Sequence, residues 1–144
     1  MTTVRRHISD DVRKAVEREF RFRCSHCLTP QEITGLRLQI DHIIPEARGG
    51  MTVIENLCLA CISCNRAKAA SVAAIDPISG HSVLLFDPRR QTWHEHFRWS
   101  EDGTEIVGRT ACGRATVMAL QMNNERLVGA RSLWVQAGWW PPDS

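Results

Sequence analysis

Two Cys-x-x-Cys pairs, Cys24/Cys27 and Cys61/Cys64, constrain this chain more than any other feature. A two-residue spacer lets both sulfurs of a knuckle face one ion. Two such knuckles supply the four thiolates of a tetrahedral Zn²⁺. Six cysteines in 144 residues are too sparse for a small disulfide scaffold. The start of the chain, Met1 to His7, carries no apolar segment or small-residue cleavage site, so a cytoplasmic protein with reduced thiols is expected. No apolar run approaches the length of a membrane span. Spacing alone leaves the fourth ligand open, because Cys58 also forms a Cys-x-x-Cys with Cys61, and His26 inside the first knuckle is a further donor. Cys112 reads as a small buried hydrophobe.

The interval between the knuckles is the informative part. Thirty-three residues separate Cys27 from Cys61, well beyond the roughly 15–20 of an ordinary zinc ribbon. Something folded has to fit between them. Ser9 with Asp10 and Asp11 predicts a helix start, and the apolar spacing of Val12, Ala15, Val16 and Phe20 continues it over 10–22. Leu36, Leu38 and Ile40 alternate with Arg37 and Gln39, predicting a half-buried strand that runs into Asp41-His42. Gly49-Gly50 breaks the chain into a loop, Val53-Ile54 suggests a short second strand, and 61–71 reads as a helix.

Over about residues 20–70 the string "CSHC … LQIDHIIPEARGG … ENLCLACISCNRAK" resembles the HNH endonuclease family, in its zinc-stapled form. The agreement is in many fixed spacings at once: Asp-His, Pro, Gly-Gly, Asn-Leu, Cys-x-x-Cys-Asn and a trailing Lys. The resemblance implies an α+β fold: a zinc-stapled ββα-metal (HNH, or His-Me finger) core, here preceded by the amphipathic helix. It implies that Cys24, Cys27, Cys61 and Cys64 hold the structural zinc, since the residue after the last cysteine is the family's catalytic metal ligand. That place is taken by Asn65 instead of the family's final His. Asp41 is the other implied ligand, His42 the general base, and Asn56 the residue that ties loop to strand. Cys58 then joins Cys112 as a bystander.

The chemistry of these residue types agrees with that reading. Phosphodiester hydrolysis needs an attacking water, a group to take its proton, and a cation to stabilise the phosphorane and leaving oxygen. An imidazole suits the first task near neutral pH. A carboxylate and an amide oxygen with open water positions suit Mg²⁺ or Mn²⁺ better than zinc. Adjacent residues of a strand point to opposite faces, so Asp41 and His42 can serve a metal and a water from one backbone segment. Arg48, Arg66 and Lys68 are candidates to bind phosphate. The expected activity is metal-dependent hydrolysis of double-stranded DNA. The rival is a zinc-stapled nucleic-acid-binding module without catalysis, and a redox protein is a third reading.

Charge adds little by itself. The net is +2, but residues 1–70 hold 11 cations against 8 anions, while 71–144 hold 7 against 8. Attraction to a polyanion is therefore expected from the first half. A change of character near Asp76-Pro-Ile-Ser-Gly80 suggests a division into 1–75, the HNH core, and 76–144, an appendage. The appendage is expected to be a hairpin of Ser82–Phe86 with Trp93–Trp99, a further strand over 105–107, and two helices meeting near Asn123-Asn124 and stopped by Gly138. His94-Glu95-His96 is a weaker metal candidate for want of a third ligand, and Arg126 and Arg131, which could touch DNA backbone, read more simply as a solvated helix face.

Overall fold

A computed structural model of the protein describes residues 8–142; the start of the chain, Met1 to His7, on which the expectation of a cytoplasmic protein rests, lies outside them. Helix α1, Asp10–Glu19, begins where the sequence predicts, with the Ser9 side chain accepting from the Val12 backbone N–H. It stops earlier than expected because Arg21 and Phe22 adopt left-handed backbone (φ 55° and 54°), turning the chain into the first knuckle. A single turn, α2 (Gln31–Thr34), follows and ends at Gly35, whose φ of 70° is open to glycine without strain.

Strands β1 (Gln39–His42) and β2 (Leu57–Ala60) pair antiparallel, with Asp41 opposite Cys58 and His42 opposite Leu57. The second strand therefore lies beyond the expected Val53-Ile54, because residues 54–56 form a single 3-10 turn that carries the chain back to β1. All four residues of β2 are buried. A strand buried on both faces shows no alternation, so its apolar run gives no period to read. Helix α3 (Ile62–Lys68) completes a ββα unit, shorter than the expected 61–71 because Ala69 turns left-handed at φ 48°.

The second half departs further from expectation. Strand β4 (Ser82–Leu84) pairs with β3 (Ala73–Ile75) rather than with Trp93–Trp99. The division expected at 75/76 falls at the turn of this hairpin. Trp93–His96 is a helical turn, α4, leading into β5 (Phe97–Trp99), which pairs with β6 (Ile106–Gly108). The aromatics gather there: Trp93 lies 5.2 Å from Phe97 and 5.1 Å from Trp99, ring centre to ring centre. Helices α5 (Ala111–Ala119) and α6 (Glu125–Gln136) meet at Asn123-Asn124 as expected, and Gly138 follows α6 at φ 78°. Small antiparallel sheets with surrounding helices make this an α+β protein, as the motif implied.

A single apolar cluster joins the two halves, packing Val16, Leu57 and Leu59 with Phe86, Trp93, Phe97 and Leu120. The Trp93 indole N–H donates to the His26 carbonyl at 2.8 Å, and Arg89 Nε donates to the Leu57 carbonyl at 2.7 Å. Among the described residues no helix is long and apolar enough to cross a membrane.

Candidate functional site

The four knuckle cysteines converge. The sulfurs of Cys24, Cys27, Cys61 and Cys64 all lie within 4.8 Å of one another, with Cys27 and Cys61 3.7 Å apart. The first knuckle is pinned to β2 by the Ser25 N–H on the Leu59 carbonyl, and Cys61 caps α3, its sulfur accepting from the Cys64 N–H. Four thiols so close cannot all ionise alone. Burial, with hydrogen bonds among the sulfurs, pushes the Cys24 thiol up, while hydrogen bonds from Cys24, Cys61 and Cys64 hold Cys27 down. A divalent cation resolves that conflict, so the donor set fits Zn²⁺.

Cys58 stands outside this group. It lies on β2 opposite Asp41, and burial pushes its thiol up to about 12. His26 does not face the thiolates either; its Nε2 lies 3.6 Å from Asp41 Oδ2. His26, Asp41 and Cys58 make a second buried group of possible metal donors, but Lys68 already supplies a positive charge there.

That lysine overturns its expected role. Lys68 is only 3% exposed, and its Nζ sits 3.0 Å from Asp41 Oδ2 and 2.9 Å from the His42 carbonyl. It is a buried partner of Asp41 and presents no surface to phosphate. Burial tends to raise the Asp41 carboxyl; the His26 hydrogen bond and the Lys68 charge outweigh it and hold the group below its ordinary value. Asn65 and Lys68 lie on α3 with the i, i+3 spacing of one face, and both reach β1 residues of one pleat face: Asn65 Nδ2 donates to Gln39 Oε1 at 2.6 Å. Asp41 and Asn65 thus share the β1–α3 seam, although each side chain has a protein partner of its own.

His42 points to the opposite face of β1 from Asp41, as strand alternation requires. Its Nε2 lies 2.9 Å from Thr52 Oγ1 and 3.2 Å from Glu46 Oε1, while Nδ1 has no hydrogen-bond partner among the described residues. Asn56 ties the intervening loop together: its Oδ1 accepts from the Ile44 N–H (2.9 Å), and its Nδ2 donates to the carbonyls of Ile44 (3.0 Å) and Met51 (2.9 Å). Gly50 is required by the same closeness, because a Cβ there would stand 1.7 Å from the Ile44 carbonyl oxygen. Arg48 Nε donates to the Ala70 carbonyl at 2.7 Å, tying the loop to the end of α3, and Arg66 stays exposed.

Three contributors escape the motif. Glu46 and Thr52 hold the His42 ring; Glu46 was signalled only by its place four residues on, just after Pro45. Arg131, expected on a solvated face, is fully buried. Its guanidinium donates to the carbonyls of Met122 (2.7 Å) and Thr104 (3.1 Å); burial disfavours its charge, and the sulfurs of Cys27, Cys64 and Cys61 act electrostatically in the opposite direction. Among the described residues no carboxylate pairs with it. His94-Glu95-His96 assembles no metal group: it lies on a helical turn, with His96 Nδ1 2.7 Å from Thr110 Oγ1.

The family model described as HNH endonuclease matches residues 24–71, the segment that holds both knuckles, β1, the loop, β2 and α3. No curated protein and no solved structure matches the chain. Over that segment the match agrees with the resemblance read from the motif.

Proposed function

We propose that the protein is an HNH endonuclease hydrolysing phosphodiester bonds of double-stranded DNA, with His42 as general base. The observation that carries this reading is the His42 ring itself, half-buried at the surface, with Nε2 engaged and Nδ1 unengaged. With a proton on Nε2 donated toward Glu46 or Thr52, Nδ1 presents its lone pair to a water. This is the arrangement of a base oriented by a third group. The Asn56 bonds keep the loop bearing Glu46 and Thr52 in register with β1.

The carboxylate and amide oxygens of Asp41 and Asn65 suit a hard divalent ion such as Mg²⁺ or Mn²⁺, once Lys68 and Gln39 yield their places. Such an ion supplies positive charge for the phosphorane and the leaving oxygen. The Asp41–Lys68 pair also favours a second reading, binding without cleavage, because it leaves the carboxylate already neutralised.

Supercoiled plasmid separates the two. Wild-type protein with Mg²⁺ or Mn²⁺ is expected to nick it, and His42→Ala to slow nicking by about 10²–10⁴-fold. The variant's zinc content and circular dichroism should match wild type. Equal nicking by both proteins refutes His42 as base. Binding without nicking across several divalent ions selects the second reading.

A further inference from the structure

A groove of about 570 Å³ lies between the segment ahead of β1, helix α3 and the start of α6. Arg37, Arg66 and Arg126 line it, one from each of these elements, over a floor that includes Leu38, Ile62 and Leu127. Among the described residues no carboxylate lines it. Arg66 and Arg126 are exposed, as is Arg37, and none of the three is held by a hydrogen bond or ion pair among the described residues.

Elsewhere in the described chain the arginines mostly have employment. Arg89 pairs with Glu19, Arg114 with Asp76, and Arg48 holds the Ala70 carbonyl. Three unengaged guanidinia facing one groove without a counter-charge make a concentrated positive site. A guanidinium presents a planar fork of donors matched to phosphate oxygens. Arg66 also directly follows Asn65, whose amide reaches β1 beside Asp41. A strand lying at the β1–α3 seam therefore meets this groove within one helix turn.

We propose that this groove binds the backbone phosphates of the nucleic-acid substrate, on arginines drawn from both halves of the chain. This rests on the nuclease reading and extends its footprint to α6, away from the expected Lys68. The role is electrostatic and independent of base sequence, because phosphates position a nucleic acid without specifying it.

The test is fluorescence anisotropy with a labelled duplex of about 20 base pairs, over a NaCl series without added divalent ion. Each phosphate contact contributes about 0.9 to the slope of log K against log salt for duplex DNA. The triple variant R37Q/R66Q/R126Q is expected to lower that slope by roughly 2.7 and to bind about 10²–10³-fold more weakly at 0.1 M salt. R37K/R66K/R126K, which keeps the charge, is expected to retain most of the slope. Zinc content confirms that each variant is folded. A wild-type slope and affinity in the glutamine variant overturn the groove, as does equal loss in the lysine variant. Wild-type protein that binds no duplex overturns both the groove and the nuclease reading. Nicking that is indifferent to His42→Ala, alongside the expected slope change, overturns only the catalytic assignment and leaves the groove standing.

Discussion

Arg131→Met removes the buried charge of α6 while keeping most of the side-chain length. Zn²⁺ bound by four thiolates carries a net charge of −2, and such an anion buried in a protein core is costly without compensation. Arg131 is completely buried and feels the charge of the Cys27, Cys64 and Cys61 sulfurs, so its single positive charge can offset half of that anion. Removing one member of a buried charge pair costs about 3–5 kcal/mol. At about 1.4 kcal/mol per factor of ten, zinc affinity should fall by roughly two to three and a half powers of ten. The same substitution also deprives the Met122 and Thr104 carbonyls of donors. That loss is common to the apo and zinc-bound forms, so the two contributions separate. Zinc affinity is read by competition with a colorimetric chelator, and thermal unfolding is followed with and without metal. The Met variant should lose far more stability in the zinc-bound form than in the apo form. Arg131→Lys, which keeps the charge without the fork, should fall between. A folded Met variant whose zinc affinity is within threefold of wild type refutes charge compensation and leaves Arg131 a hydrogen-bonding spacer.

Two further predictions concern the cysteines and the hairpin. Cys58→Ala should leave one zinc per chain, whereas Cys64→Ala should lose the metal and lower the unfolding temperature, as measured by metal content and thermal unfolding followed by circular dichroism. Arg114 binds both oxygens of Asp76, at 2.9 Å each, and with the hydrogen bonds of Ser79 and Ile78 it holds that carboxyl well below the usual range. A group depressed in the folded state stabilises above its unfolded pKa and loses that effect as pH falls through its folded one. Asp76→Asn should therefore be less stable than wild type at pH 7, with the gap closing only below about pH 4. Thiolate protonation, common to both proteins, cancels in that difference. A gap that closes between pH 7 and 5 excludes Asp76 as its source.

The segment 24–71 was legible because its constraints are local spacings: knuckles of fixed length, an Asp-His pair at a strand end, glycines where the backbone crowds. Gly50 shows why such a position is readable, since only the absence of a Cβ permits the approach to Ile44. The unread parts depend on three-dimensional context. Leu57–Ala60 is apolar throughout, so nothing in its sequence marked it as the second strand. Trp93–Trp99 has strand composition, yet its first turn is helical, where tertiary packing of aromatics prevails over propensity. Lys68 and Arg131 look like ordinary surface cations, because helical periodicity cannot say that a thiolate cluster or a buried aspartate lies opposite them.

The hydrogen bond from Trp93 to the first knuckle and the burial of Arg131 beside the sulfurs have a consequence for the order of assembly. During synthesis both knuckles leave the ribosome long before α6, so the thiolates can gather metal while the arginine that offsets their charge is still unmade. Early metal binding is then weak and exchangeable, and it tightens only when the last helix docks. The contacts that close the core are distant in sequence, which slows this final step. A nascent chain stalled before Arg131 should exchange its zinc rapidly with a chelator, and the released full-length chain should retain it.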